Sequence, residues 1–353
     1  MKKLLLMNLL LLYKISSAQD FGLGPDPQFS QFFGNPLYHN PAFTGESGTT
    51  RLMTTYRSQW NGLGDGGYKT YMAGVDSYVG KGVGLGFLAF RDDQFKNFNS
   101  NSFSFLGSYN VVVNDNNVIQ WGLQGSWTFH QINDMSNLRF VDRFVASPNG
   151  VTLNPSTDPI AINRGSFNWS YPNFDTGVLW KSSIHSDDSQ LFWAGATWHH
   201  MKFKEKEFQP KGRFGLQAGF RIPHGLDFIG NGMVKDMNRE RSIAFTSYFR
   251  KQGQFSQLDL GINFQYEPMN FGLWYRNIPF KNAGYAGRDA LTFIAGVKLD
   301  KFLIEYSYDL TVSSLNKASG GANEITIWYG LEYFLDVTFR GLDARRKLKC
   351  TNF

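Results

Sequence analysis

The chain has 353 residues, of which 42% are hydrophobic, and its formal net charge is +6. So small a positive charge gives no support to a nucleic-acid-binding surface, and a single cysteine, Cys350, excludes an intramolecular disulfide bond. Beyond the first 18 residues, no apolar run has the length of a membrane-spanning helix. Two classes remain: an exported soluble protein, or a β-barrel whose membrane signal is weaker.

Residues 1–18 have the three parts of a secretory signal peptide. Two lysines form a basic start, residues 4–13 form an apolar run, and small residues at 16–18 precede an expected cleavage site after Ala18. The alternative, a transmembrane anchor, needs about 20 apolar residues, and Lys14 interrupts this run too early. The sequence therefore predicts export.

The next segment, residues 19–48, fits neither a regular helix, a central strand nor a solvated linker. Within residues 26–45, three prolines interrupt regular structure: Pro27, Pro36 and Pro41. Six large apolar side chains accompany them: Phe29, Phe32, Phe33, Leu37, Tyr38 and Phe43. We expect irregular backbone held by its aromatic side chains, as a plug or a periplasmic cap. Both packing within the protein and docking with a periplasmic partner are open for this segment.

Residues 49–334 alternate apolar and polar residues with the period of two that predicts β-strands. In one example, Leu258, Leu260, Ile262 and Phe264 alternate with polar residues or glycine. Such runs are about 8–12 residues long, which suits a tilted strand that crosses a membrane. Aromatic residues near the strand ends suit the two membrane interfaces. The pattern predicts an all-β transmembrane antiparallel barrel, with a soluble β-sandwich or propeller as the alternative.

Fifteen stretches qualify as candidate strands: 50–58, 68–78, 82–91, 101–112, 118–130, 172–182, 190–200, 213–223, 226–235, 242–250, 256–266, 269–276, 291–299, 302–309 and 323–334. Bacterial single-chain barrels have even strand numbers, with short periplasmic turns and longer extracellular loops. Omitting the irregular stretch 226–235 restores that alternation of short and long links. We therefore expect about 14 strands, both termini in the periplasm, and a long periplasmic link at 224–241.

Polar residues of these strands are expected to face the lumen, and their mixed signs suit either a water-filled or a plugged interior. The expected lumenal residues are Gln120, Gln124, Arg213, Gln217, Arg221, Asp259, Asn263, Gln265, Glu305 and Glu332. After the last strand, residues 335–353 form a basic tail that is expected to lie in the periplasm.

No arrangement of residues predicts catalysis, a metal site or a cofactor. His199 and His200 are adjacent, so in a regular strand they would point to opposite faces. The glycines of residues 80–86 alternate along a strand rather than precede a helix, which argues against a dinucleotide-binding loop. An outer-membrane lipase or protease is the remaining enzymatic alternative, because catalytic groups can be far apart in sequence.

Several stretches together resemble the PorP/SprF family of Bacteroidota outer-membrane proteins. Besides residues 26–45, they are residues 56–61 (Tyr56-Arg57-Ser58-Gln59-Trp60-Asn61), 252–261, 272–276, 308–325 and the C-terminal 349–353. The sequence differs from the usual family pattern at Ser314, Asn323 and Thr351. The resemblance covers nearly all of the chain after residue 18.

The resemblance implies a non-enzymatic outer-membrane barrel of the type IX secretion and gliding-motility apparatus. Such a protein would assist secretion or surface anchoring of a cargo with a type B C-terminal signal domain, such as an adhesin. Loops 131–171, 277–290 and 310–322 would hold the cargo, whereas residues 20–46 and 336–353 would face periplasmic components of the system. A general porin or transporter for small solutes is the alternative function.

Seventeen residues are the candidate partner-binding positions: Asp26, Pro27, Gln28, Phe29, Ser30, Gln31, Asn35, Pro36, Asn40, Pro41, Ser319, Gly320, Gly321, Glu324, Arg345, Arg346 and Lys347. The expected partners are outer-membrane lipids, the cargo domain and periplasmic secretion components, with no nucleic acid and no cofactor.

Overall fold

The computed structural model describes residues 25–63, 67–133, 144–147, 150–153, 166–183, 191–201, 209–223, 241–253, 255–276, 290–312 and 320–331. In chain order, the strands are β1 (Thr50–Gln59), β2 (Tyr68–Gly80), β3 (Val83–Gln94), β4 (Phe98–Asn114), β5 (Asn117–Ile132), β6 (Phe144–Ser147), β7 (Gly150–Leu153), β8 (Phe167–Ser183), β9 (Leu191–His199), β10 (Arg213–Pro223), β11 (Arg241–Gln252), β12 (Phe255–Tyr266), β13 (Met269–Arg276), β14 (Ala290–Leu299), β15 (Phe302–Thr311) and β16 (Ala322–Leu331). One short helix, α1 (Pro36–His39), and two 3₁₀ turns, Pro41–Phe43 and Asn61–Leu63, complete the described elements.

Fourteen of these strands form one closed antiparallel barrel, which confirms the predicted fold class and strand number. Closure comes from β1, which pairs with β2 on one side and with β16 on the other. Strands β6 and β7 form a separate hairpin in the connection between β5 and β8, which pair directly. A closed barrel leaves no strand edge unpaired, as a membrane requires of a β-structure.

Side chains alternate across the barrel wall as the sequence pattern predicts. In β13, Met269, Phe271 and Tyr275 are exposed on the outer face, whereas Trp274 and Arg276 are buried inside. Large apolar residues are likewise exposed on the outside of most of the other barrel strands. This distribution suits a wall that contacts lipid outside and polar groups inside. No helix in the described residues is long and apolar enough to cross a membrane.

The two ends of the barrel differ in their connections, and we name them by that difference. The short-turn end carries tight links such as 81–82, 115–116 and 300–301, and the backbone of Lys81 and Asp300 there is left-handed, as tight hairpins require. The long-loop end carries the links 133–166 and 277–289.

Three strands run further toward the long-loop end than the sequence predicts. Strands β4, β5 and β8 contain 17, 16 and 17 residues, so the loop expected at 131–171 is reduced to 133–166. The reason is that the β5–β8 ladder continues with paired residues as far as Ile132 and Phe167. The omitted stretch 226–235, Glu332 and the tail 335–353 lie outside the described residues.

Residues 25–46, which we call the plug segment, lie inside the barrel. Their buried side chains pack with inward-facing residues of the wall in two apolar clusters. The segment begins at the long-loop end, where Asp26 contacts the first residue of β10 and the last of β11. It reaches the short-turn end at Gly45, beside Asp76 near the end of β2.

Of the two positions expected for residues 19–48, a plug or a periplasmic cap, the described residues 25–46 occupy the lumen rather than a cap outside the barrel. Counting strands from β1 places the start of β1 and the end of β16 at the short-turn end, and both lie there. Asp26, however, lies at the opposite end, because the plug segment crosses the lumen before β1 begins. Strand number and loop length could not reveal this additional crossing of the lumen, because the plug segment forms no strand.

Candidate functional site: the plugged lumen

The plug segment is held at the long-loop end by Asp26. Its carboxylate lies 3.0 Å from Nη1 of Arg213 and 2.7 Å from Nε2 of His200. Burial raises the pKa of this carboxyl, but the charges of His200 and Arg213 outweigh burial and lower its pKa below the ordinary value. Asp26 is therefore an ionised anchor in this conformation.

A buried polar cluster of five residues, the latch cluster, holds the next part of the plug segment: Ser30, Arg57, Arg276, Asp309 and Glu324. Arg57 lies 2.7 Å from Asp309 and 2.9 Å from Glu324, and Arg276 lies 2.8 Å from Asp309. The Ser30 hydroxyl donates to Asp309 at 2.6 Å, and the Ser30 backbone N–H donates to Glu324 at 2.7 Å. Two cations and two anions thus balance each other, and the plug segment supplies further donors.

The amides of Gln31 and Asn35 extend this network. The backbone N–H of Gln31 donates to Glu324 at 3.1 Å, and Nδ2 of Asn35 donates to the same carboxylate at 3.0 Å. The Asn35 oxygen in turn accepts from Thr55 of β1 at 2.6 Å. Glu324 therefore binds three residues of the plug segment: Ser30, Gln31 and Asn35.

Aromatic packing fills the middle of the lumen. Phe32 lies 5.2 Å from Tyr248 and 6.0 Å from Trp274 between ring centroids, and Phe33 lies 6.0 Å from Trp193. Leu37, whose side chain is 0% exposed, belongs to a second cluster formed with strand residues. Burying such side chains removes apolar surface from water, which favours a docked plug segment.

His39 is buried among these rings. It stacks on Phe32 at 5.0 Å, and among the described residues neither ring nitrogen has a hydrogen-bond partner. Burial, together with the charges of Arg250 and Arg213, holds the pKa of His39 well below its ordinary value. The imidazole is therefore neutral where it packs.

The plug segment approaches the wall most closely near the short-turn end. The Thr44 carbonyl accepts from Ser108 at 2.6 Å and from Gln120 at 3.0 Å. At Gly122, a Cβ atom would overlap the backbone of Pro41 and Ala42. Glycine at this wall position therefore makes room for the plug segment.

The adjacent histidines at the end of β9, His199 and His200, both take part in lumenal contacts. His199 faces inward within the strand, and its Nε2 lies 3.2 Å from the His39 carbonyl. His200 follows the strand with a left-handed backbone, φ 57°, and its Nε2 reaches Asp26. The expectation that they face opposite sides holds for a regular strand, and His200 lies just beyond its end. No group of three or more potential metal ligands was found among the described residues.

One cavity of about 280 Å³ remains beside the plug segment at the long-loop end. We call it the vestibule, and the inward faces of β3, β4, β5 and β8 form much of its wall. Small hydroxyl side chains of β4 and β5 account for its space, including Ser100, Ser102 and Thr128.

Comparison with known protein families assigns the chain to one of them. The model of the type IX secretion system membrane protein PorP/SprF matches residues 23–329, which includes the plug segment and all fourteen barrel strands up to the last residues of β16. The chain belongs to the PorP/SprF family. The family and the barrel fold together place this protein in the outer membrane, as the sequence predicts.

Solved outer-membrane barrels resemble this PorP/SprF protein at a low level of similarity. The toluene transporter TbuX of Ralstonia pickettii has 10% identity and a TM-score of 0.47 over 84% of this chain and 92% of its own. The CymD monoaromatic hydrocarbon channel has 11% identity and a TM-score of 0.45 over 85% and 93%. Omp33 of Acinetobacter baumannii has 7% identity and a TM-score of 0.41 over 80% and 98%. Similarity this low does not transfer their transport functions to this chain. No curated protein matched significantly.

The structure brings together candidate residues from the two ends of the PorP/SprF sequence. Ser30, Gln31 and Asn35 from the N-terminal stretch contact Glu324 from the last hairpin. The other described N-terminal candidates also lie in the plug segment: Asp26, Pro27, Gln28, Phe29, Pro36, Asn40 and Pro41. Their observed contacts are within the barrel, and a role in binding partners stays a prediction.

The remaining candidates lie apart from the latch cluster or outside the described residues. Gly320 and Gly321 have left-handed backbones at the long-loop end, where the Gly321 carbonyl accepts from the Trp60 N–H. Ser319, Arg345, Arg346 and Lys347 lie outside the described residues.

Sequence reasoning did not select three members of the latch cluster: Arg57, Arg276 and Asp309. Each lies within a stretch that carries the family resemblance, at an inward position of its strand. The available signal was therefore charge at inward positions near one end of several strands. That signal shows a charged lumen, but it does not show which segment occupies it.

Proposed function

We propose that this outer-membrane barrel assists secretion or surface anchoring of a cargo protein with a type B C-terminal signal domain, such as an adhesin. The observation that carries the proposal is the plug segment inside a barrel of the type IX secretion family. A chain segment that fills much of the lumen is expected to limit diffusion of solutes. The protein is thus better suited to bind other proteins than to act as a general porin.

The two ends of the barrel would have separate partners. The long loops would contact the cargo outside the cell, and the short-turn end with the tail 335–353 would contact periplasmic secretion components. Within the plug segment, the residues nearest the short-turn end would be able to reach such a component. The residues that precede them in the chain are enclosed by the barrel wall. In this proposal, the protein acts by binding its partners and does not catalyse a reaction.

Gene deletion with surface detection of one cognate adhesin tests the cargo role. We expect loss of surface adhesin, restored by the wild-type gene, while the adhesin remains detectable inside the cells. Normal adhesin display in the deletion strain would contradict the proposal.

Conductance of the purified protein in planar bilayers tests the porin alternative in the same study. Low conductance by the wild-type barrel is expected, because the plug segment occupies the lumen. Stable, large conductance steps together with normal adhesin display would favour the porin function instead.

A further inference from the structure

The vestibule contains a buried carboxylate that has hydrogen bonds but no cation. The side chain of Asp92 belongs to a residue that is 1% exposed, and its two oxygens accept from Thr70 at 2.7 Å and from Gln94 at 2.9 Å. Among the described residues, no cationic side chain pairs with it. An unpaired buried charge is costly, so this carboxyl group is stabilised either by a proton or by a cation that binds beside it.

At the vestibule wall, one ring nitrogen of His130 lacks a hydrogen-bond partner among the described residues. His130 is 7% exposed, and its Nε2 lies 2.8 Å from the Tyr171 hydroxyl, whereas its Nδ1 has no hydrogen-bond partner among the described residues. Its ring lies 5.4 Å from the ring of Phe98 and 4.9 Å from that of Trp169, and these two rings are 5.9 Å from each other. The three rings form one aromatic group, which restricts the orientation of the imidazole.

Strand register places these two groups on either side of a small residue. Asp92 of β3 is paired with Ser100 of β4, and Ser100 is paired with His130 of β5. All three face inward, and adjacent strands lie about 4.8 Å apart. The short Ser100 side chain leaves a space in the row between the carboxylate and the imidazole, and this space opens into the vestibule.

Carboxylates outnumber arginines in the described lining of the vestibule, which also contains three histidines: His130, His199 and His200. Its described lining contains three carboxylates, Asp26, Asp92 and Asp175, and one arginine, Arg213. Asp26 is paired with Arg213, and Asp175 accepts from the His200 N–H at 2.8 Å and contacts His199. Asp92 is the carboxylate that these contacts leave without a positive neighbour.

We propose that the space above Ser100 is a binding site for a guanidinium or ammonium group, supplied by an arginine or lysine side chain of an extracellular polypeptide or by a free polyamine. The cation would donate to the Asp92 carboxylate, with the Phe98 ring of the vestibule lining beside it. Donor-rich cations fit a row of acceptors, whereas an anion would meet the Asp92 charge. This proposal goes beyond the cargo role and does not rest on it.

Binding to the purified full-length protein in detergent micelles, followed by titration calorimetry, tests the site. The probe is the peptide acetyl-Gly-Arg-Gly-amide, and its control carries citrulline, which has the shape of arginine without the charge. We expect binding of the citrulline peptide to be at least about tenfold weaker, because a hydrogen-bonded charge pair is lost. Equal affinity for the two peptides, or no binding of either the arginine peptide or putrescine, would overturn the proposal.

Substitutions locate the site. Asp92→Asn keeps the shape and removes the charge, and we expect at least about tenfold weaker binding of the arginine peptide. The matched control is Asp93→Asn, since Asp93 pairs with the exposed Arg91 and is not part of the vestibule lining. Ser100→Leu fills the space and should abolish binding. Heat-modifiable gel mobility verifies that each variant is folded.

Equal effects of the Asp92 and Asp93 substitutions, or full binding by a folded Ser100→Leu variant, would place the ligand elsewhere and refute the site. A titration with putrescine separates the two sources of the cation: tighter binding of putrescine than of the peptide assigns the site to free polyamines. These measurements use purified protein, so a negative result leaves adhesin display in cells as an independent test of the cargo role.

Discussion

Charged side chains in the lumen are stabilised by their immediate partners. Arg57, Arg276, Asp309 and Glu324 are all buried, and each would be costly to bury singly. Their alternating charges and the donors of Ser30 and Gln31 compensate that cost. The latch cluster therefore couples the stability of the barrel wall to the presence of the plug segment.

Removing one charge from the latch cluster should destabilise the protein strongly. Asp309→Asn leaves the guanidinium groups of Arg57 and Arg276 with one fewer buried carboxylate, so we expect a loss of about 3–5 kcal/mol in unfolding free energy. Urea unfolding of the protein in lipid vesicles, followed by gel mobility, measures this change.

The control for that substitution is Glu267→Gln. Glu267 lies 2.8 Å from Lys298, but both side chains are about a quarter to a third exposed, so the change should stay within about 1 kcal/mol. Similar losses from the two substitutions would show that burial and the shared network at Asp309 do not carry the expected stabilisation.

At the scale of elements, the plug segment is irregular because its sequence prevents regular pairing. Its prolines remove backbone donors, and its remaining polar groups bond to side chains of the wall instead, as at Glu324 and Gln120. The short helix α1 starts with a proline, which suits the first turn of a helix. The plug segment is thus held by side chains of the barrel rather than by a sheet.

Displacing the plug segment should open the lumen. Gly122→Leu places a side chain where the backbone of Pro41 and Ala42 lies, so the segment must move and conductance in planar bilayers should rise above that of the wild type. The matched control is Gly107→Leu, because a Cβ at Gly107 meets nothing within 4 Å. Unchanged conductance in the Gly122 variant, with its folding verified, would mean that the plug segment does not limit flow.

At the scale of the whole molecule, the plug segment determines which end of the barrel the N-terminal part of the chain reaches. Its first residues lie with His200 and Arg213 at the long-loop end, while β16 ends at the short-turn end. If the long loops are extracellular, as is usual for bacterial barrels, residue 25 faces the outside of the cell. The expectation of two periplasmic termini concerns residues outside the described part of the chain, so it stays a prediction.

Cysteine labelling tests this orientation in intact cells. In a Cys350→Ser background, Lys96→Cys at the long-loop end and Pro25→Cys should react with a membrane-impermeant maleimide. Lys81→Cys, at an exposed position of the short-turn end, should react only after the outer membrane is permeabilised. Labelling of Lys81→Cys and Pro25→Cys under the same condition would contradict the placement of the N-terminal part at the long-loop end.

The sequence by itself determined the fold class, the strand number, the family and most strand positions. These properties follow from local patterns: the alternation within β12, for example, shows directly which side chains face outward. The strand ends at Ile132 and Phe167 were less predictable, because pairing between β5 and β8 extended both strands beyond the alternating core.

Only the tertiary structure decided where the plug segment lies and what holds it. Ser30 and Glu324 are separated by 294 positions, and nothing in the local pattern around either residue identifies the other as its partner. The left-handed backbone that brings His200 to Asp26 also depends on the end of β9 rather than on residue type. Local periodicity therefore determines the strands of the barrel wall. Charge and shape complementarity between distant residues determines how the plug segment occupies the lumen.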